Sequence, residues 1–115
     1  MTDTIFHKII RREIPTKIIY EDQYVIAIND INPVSATHVL VIPKDRDLPK
    51  ISLAEEQDKL LLGHMLLVCK KIASEQELDE QGYRIVINCG EDAGQTVLQL
   101  HMHLLGGRSF SWPPG

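Results

Sequence analysis

The spacing of apolar residues along this chain changes period several times, and each change marks an element. Ile5, Phe6, Ile9 and Ile10 recur at helical spacing behind a capping Asp3 or Thr4, which predicts a short helix running to about Arg12. Pro15 marks a break before the next element. Segments 17–20 and 24–28 alternate as strands around the turn Glu21-Asp22-Gln23, which predicts a hairpin. Asn29-Asp30-Ile31-Asn32-Pro33 is a turn cluster. Segment 38–43, His-Val-Leu-Val-Ile-Pro, is apolar enough for a central strand. Ser52-Leu53-Ala54-Glu55 has the form of a capping box opening a long helix, with Leu61, Met65, Val68 and Ile72 on its buried stripe and its end before Gly82. Segments 83–88 and 98–105 complete five strands, and Gly106-Gly107 stops the last. The prolines of the tail Ser111-Trp112-Pro113-Pro114-Gly115 exclude a regular element there. The expectation is one α+β domain over 1–115, with an antiparallel sheet of about five strands and its long and short helices covering one face.

Composition narrows the class. The chain has 115 residues, 43% hydrophobic and 24% charged, which suits a single globular domain. Its formal net charge is -4, without the basic footprint of a nucleic-acid binder, so a phosphate ligand must be held by local donors. No apolar run approaches the roughly 20 residues of a membrane span. The first 13 residues are charged and lack an apolar core, so no secretory leader is expected. Cys69 and Cys89 fit no metal or redox spacing and are expected to be reduced. These features point to the cytoplasm.

The candidate chemistry lies in Gln99-Leu100-His101-Met102-His103-Leu104-Leu105. On a strand, His101 and His103 share one face about 7 Å apart, and Leu98, Leu100, Met102 and Leu104 cover the other. A Gly-bearing loop, 88–96, precedes them. Three readings fit such a pair. It can be a surface pair. It can chelate a metal with a third ligand from His7, His38 or His64. Or a neutral imidazole can attack phosphorus, with one ring nitrogen fixed by an acceptor such as a backbone carbonyl and the loop supplying donors for the phosphoryl oxygens.

Several segments occur in the order seen in one family. They are Thr4-Ile-Phe-His-Lys-Ile-Ile, Glu13-Ile-Pro, Asn29-Asp-Ile-Asn-Pro, Thr37-His-Val-Leu-Val-Ile-Pro-Lys, Tyr83-Arg-Ile-Val-Ile-Asn, Gly94-Gln-Thr-Val, the His101/His103 run and Gly106-Gly-Arg-Ser-Phe-Ser-Trp-Pro-Pro-Gly. The chain therefore resembles, across nearly its whole length, the histidine-triad nucleotide-binding proteins of the Hint branch, to which the Trp-Pro-Pro-Gly ending is specific. The resemblance implies a homodimer whose sheets join into one, with the tail 106–115 at the dimer contact. It implies binding of purine nucleoside monophosphates and hydrolysis of phosphoramidates such as adenosine 5′-monophosphoramidate or AMP linked to lysine, without metal or cofactor. On this resemblance His101 is the nucleophile and His103 contacts the α-phosphate. Asn88 and Gly94-Gln95-Thr96 match the phosphate loop, with the Thr96 hydroxyl donating to the leaving nitrogen or a phosphate oxygen. Asp30 matches the ribose-gripping acid with Ile31 beside it, Phe6, Ile9 and Ile28 match the base slot, and His38 matches a histidine near the triad.

The chain departs from the pattern at Gln99, which stands where the family has the first histidine. Gln keeps a donor and an acceptor but relays no proton, so reduced turnover is expected. The alternatives are then a nucleotide-binding regulatory module, or a hydrolase of dinucleoside polyphosphates. Thr4 and His7 stand where some members have Cys-x-x-Cys, which argues against the zinc site of those members.

Overall fold

The computed structural model describes residues 3–115; Met1 and Thr2, the start of the expected 1–115 domain, lie outside them. Thr4, not Asp3, caps the first helix, α1 (Ile5–Ile10), and its side chain accepts from the His7 N–H. The helix stops earlier than its apolar spacing predicts. The Arg12 and Glu13 N–H groups turn back to the Ile9 and Lys8 carbonyls, and Arg12 takes a positive φ of 62°.

Beyond α1 the chain forms five strands: β1 (Ile18–Glu21), β2 (Val25–Asn29), β3 (Thr37–Pro43), β4 (Tyr83–Val86) and β5 (Met102–Gly106). They form one antiparallel sheet in the order β1-β2-β3-β5-β4. β3 is central, and its run of apolar side chains is buried on both faces. Val39 and Val41 join the core beneath the long helix α2 (Lys59–Glu75), whereas Leu40 and Ile42 join Phe6 and Ile9 of α1. The two helices thus lie on opposite faces of the sheet, a correction to the expectation that both cover one. The reason lies in β3 itself, since a strand without a polar face needs an apolar cover on each side.

The opening of α2 also differs from its sequence signal. Ile51–Leu53 and Glu56–Asp58 are single 3-10 turns, and the helix begins at Lys59, not behind a box at Ser52. The buried Asp58 accounts for this. Its carboxylate accepts from the Glu55 N–H at 2.8 Å and from the Arg46 guanidinium at 2.8 and 3.1 Å, which holds the chain in turns. Met65, Val68 and Ile72 form the buried stripe, each contributing about 1.5–3 kcal/mol of burial, while Leu61 is only half-buried. The helix ends at Glu75.

β4 and β5 are shorter than their apolar runs. β5 begins at Met102, so His101 lies just outside the ladder and Leu98 is 50% exposed instead of entering the core. Gln95 and Gln99 cause this, because their side chains tie the approach to β5 to main-chain groups of segment 46–49. β5 ends with Gly106, where a Cβ would meet Leu78 Cδ1 at 2.5 Å, and Gly107 follows at a φ of 93°. Among the described residues, no helix is long and apolar enough to cross a membrane.

Candidate active site

Sheet register assembles the site. Ile28 of β2 opposes Leu40 of β3, and Leu40 opposes His103 of β5, so these three share the α1 face. His38, two residues from Leu40, lies diagonally beside His103 on the same face. Rings of His101 and His103 stand 5.0 Å apart, and the buried His101 ring meets Phe6 of α1 edge-on at 4.9 Å.

Hydrogen bonds fix the tautomers. The Val34 N–H donates to His38 Nδ1 at 3.1 Å, so the proton of neutral His38 sits on Nε2. That proton faces His103 Nδ1 at 2.9 Å. His103 therefore accepts at Nδ1 and carries its own proton on Nε2, available as a donor. His101 Nδ1 lies 2.7 Å from the Gln99 backbone carbonyl, which can only accept. His101 is thus protonated on Nδ1 and its Nε2 lone pair is free. Asp30 Oδ2 lies 3.4 Å from His38 Nε2, and its Oδ1 accepts from the Asn32 N–H at 2.8 Å.

Burial pushes the His103 imidazole down to about 4, helped by the neighbouring His101 and His38 and opposed by Asp30. Burial also lowers His101 below the ordinary imidazole value, against the opposing pull of the Gln99 carbonyl and Asp30. Both rings are neutral at pH 7, so one side chain offers a lone pair while its neighbour offers a proton.

A cleft of about 240 Å³ opens beside this cluster, lined by Phe6, Ile9, Ile28, Leu40, Asp30, Ile31 and Thr96 among others. Apolar side chains make up most of its lining, and Asp30 is the only carboxylate among them. A larger hollow of about 600 Å³ lies elsewhere, between Glu77, Tyr83, Arg84 and the tail at Arg108 and Phe110. No histidine lines either hollow, but Phe6 and Asp30 of the smaller one adjoin His101 and His38.

The other expected site residues fall into two groups. Asn88 is half-buried and Gly94 and Thr96 are exposed on the loop before His101. Gln95 spends its side chain on that loop: Oε1 accepts from the Gly90 N–H at 2.9 Å, and Nε2 donates to the Pro49 and Val97 carbonyls at 2.7 and 3.0 Å. Gln99 is turned away from the rings, with its side-chain amide on the backbone of Arg46 and Leu48. Sequence spacing carried no signal for either tie, because the partners are main-chain groups some 50 positions away. It also missed the tether of α1, where His7 Nε2 meets Asp47 at 2.7 Å and His7 Nδ1 accepts from the Thr4 N–H at 2.9 Å. His64 of α2 pairs instead with Asp22 at 2.7 Å. Among the described residues, Asp30, His38 and His103 place ligand-type atoms within 4.8 Å of one another. The facing nitrogens of the two histidines already serve each other.

The HIT domain family model matches residues 11–110. The chain belongs to the HIT domain family. An uncharacterized HIT-like protein of Synechocystis is 55% identical over 113 residues, covering 98% of this chain and 97% of its own. The crystal structure of a HIT family hydrolase from Legionella pneumophila Philadelphia 1 superposes with a TM-score of 0.93 at 42% identity, covering 96% of this chain and 98% of that one. A histidine triad nucleotide-binding protein from Candida albicans gives a TM-score of 0.80 at 33% identity, over 96% and 82% of the two chains. The five-stranded antiparallel sheet with one long helix is thus the HIT fold. The histidine cluster and the cleft both lie on the α1 face of this HIT domain.

Proposed function

We propose that this protein hydrolyses the P–N bond of purine nucleoside 5′-phosphoramidates through a covalent nucleotidyl-histidine on His101. The observation that carries this reading is the pair of opposed tautomers. His101 Nε2 has a free lone pair, and His103 Nε2 has a proton to give, on adjacent rings beside an apolar cleft. The nucleoside sits in that cleft, its base against Phe6, Ile9 and Ile28 and its ribose hydroxyls on Asp30 with Ile31 alongside. His101 attacks phosphorus, forming the N–P bond as the bond to the amine breaks. The departing nitrogen takes a proton from solvent water, relayed through the Thr96 hydroxyl, and leaves as the free amine. His103 Nε2 donates to the phosphoryl oxygens, where charge builds, and the loop carrying Asn88 and Gly94-Gln95-Thr96 borders them, its Gln95 amide holding the loop in shape. Water then cleaves the nucleotidyl-imidazole to release the nucleoside monophosphate. No metal or cofactor enters these steps. The similarity to a HIT family hydrolase and to a histidine triad nucleotide-binding protein supports the same reading.

A homodimer accompanies this reading. β4 is an edge strand, and α2 carries Leu60 and Leu67 outward, 83% and 63% exposed, with Gly63 between them. Trp112 of the tail is exposed as well. Pairing of two β4 edges with these apolar residues covered joins two sheets into one. Sedimentation equilibrium tests this by the mass in solution, expected at twice the 13.0 kDa of the chain.

The deciding experiment is turnover of a fluorogenic AMP phosphoramidate by the wild-type protein, with dinucleoside polyphosphate as the comparison substrate. Absence of P–N cleavage, or faster polyphosphate hydrolysis, refutes the assignment. The pH profile carries a further expected outcome. A protonated His101 cannot attack, and burial lowers its pKa, so the acid limb of kcat/KM is expected below the ordinary imidazole value of about 6.5. An acid limb above that value contradicts the burial of the nucleophile.

A further inference from the structure

Segment 46–49 lies outside the sheet and touches none of the site histidines with a hydrogen bond among those of the described residues, yet the surrounding elements are tied to it. The peptide unit joining Gln99 and Leu100 is central. Its carbonyl accepts the His101 Nδ1 proton at 2.7 Å, and its N–H donates to the Leu48 carbonyl at 2.7 Å. The Gln99 side chain completes the grip. Its Oε1 accepts from the Leu48 N–H at 3.0 Å, and its Nε2 donates to the Arg46 carbonyl at 2.7 Å. Leu48 is itself anchored in the core, 2% exposed, as is Gln99. Because β5 begins only at Met102, no ladder bond holds this peptide unit. Its orientation rests on Leu48 and on the glutamine amide.

We propose that Gln99 is the positioning residue for His101: its amide, clamped to Arg46 and Leu48, fixes the carbonyl that holds the Nδ1 proton and so keeps Nε2 free to attack. The proposal rests on the reading of His101 as nucleophile for its kinetic consequence, but not for the tautomer. It gives the glutamine that replaces the family's first histidine a task a neutral amide does well. An amide presents a donor and an acceptor together at every pH, with no tautomer of its own to fix.

Nitrogen-detected NMR of the imidazoles reads the tautomer directly, and kinetics reads its effect. The wild type is expected to show His101 protonated on Nδ1 at neutral pH. Gln99→Leu keeps much of the bulk and removes both bonds. It is expected to yield a mixture of tautomers and a kcat reduced about 10- to 100-fold through misplacement of the nucleophile. KM is expected to stay within about threefold, since Asp30 and the cleft are untouched. Gln99→Glu guards against a leucine variant that does not fold. It retains the acceptor for Leu48 but regains a donor for Arg46 only when protonated, so its rate relative to wild type is expected to rise on acidification. A folded Gln99→Leu protein that keeps both tautomer and kcat overturns the proposal. So does a Gln99→Glu ratio that is flat with pH. A Gln99→His variant with tenfold higher kcat and an added ionisation would place position 99 in the chemistry and overturns it too, tenfold being about 1.4 kcal/mol of barrier. Loss of the tautomer in Gln99→Leu, with a wild type inert towards phosphoramidates, supports the clamp and refutes the catalytic assignment separately.

Discussion

Replacing His101 with glycine is expected to end turnover of nucleoside phosphoramidates, with a loss on the order of 10⁴-fold or more, while AMP still binds. The chemistry sets the size of this loss. Removing the attacking nitrogen leaves only a direct attack by water, which the cleft does not position. Binding persists because the residues assigned to the nucleoside, Phe6, Ile9, Ile28 and Asp30, belong to α1 and β2 and to the turn after β2. His101 touches that set through one edge-on contact with Phe6, so a few-fold change in AMP affinity is the expected cost. Single-turnover kinetics and calorimetry separate the two effects. Mass spectrometry of the wild type quenched during turnover is expected to find a nucleotidyl group on His101. Retained turnover in the glycine variant, or an adduct on His103, contradicts the mechanism.

Asp30→Ala is the second large effect. Asp30 carries the one carboxylate among the residues lining the cleft and keeps one oxygen on the Asn32 N–H. Two vicinal hydroxyls donating to the carboxylate contribute about 1.5–3 kcal/mol together, so KM for the ribonucleotide is expected to rise about 10- to 100-fold. Asp30 also lies 3.4 Å from His38 Nε2, so kcat alone is an ambiguous readout. The clean comparison uses a 2′,3′-dideoxy substrate. Wild type is expected to discriminate against it strongly, and the variant hardly at all. Equal discrimination by both proteins removes Asp30 from the ribose.

Much of the architecture was legible in the chain because its apolar periods are clean. The β3 run Val39-Leu40-Val41-Ile42 has no polar alternate, so it was readable as central, and the stripe Met65, Val68, Ile72 marked the inner side of α2. What that period does not encode is which neighbour covers which face. The placement of α1 opposite α2 depended on that choice. Capping signals were ambiguous for a similar reason. Ser52 and Glu55 have the right spacing, but Asp58 had a better partner in Arg46, and a local motif gives way to a partly buried ion pair.

The site divides in the same manner. Two-residue spacing alone put His101 and His103 on one side, and the segment order alone pointed to the family to which the chain belongs. The protonation pattern came from elsewhere. Val34 sets the tautomer of His38, which sets that of His103, while Leu48 and Arg46 hold the amide of Gln99. Local sequence determines periodicity, and so which residues face together, because that follows from backbone geometry shared by every strand and helix. Only tertiary structure decides which nitrogen carries a proton or which carbonyl an amide finds, because those bonds join main-chain groups that any residue supplies and that no side-chain pattern records.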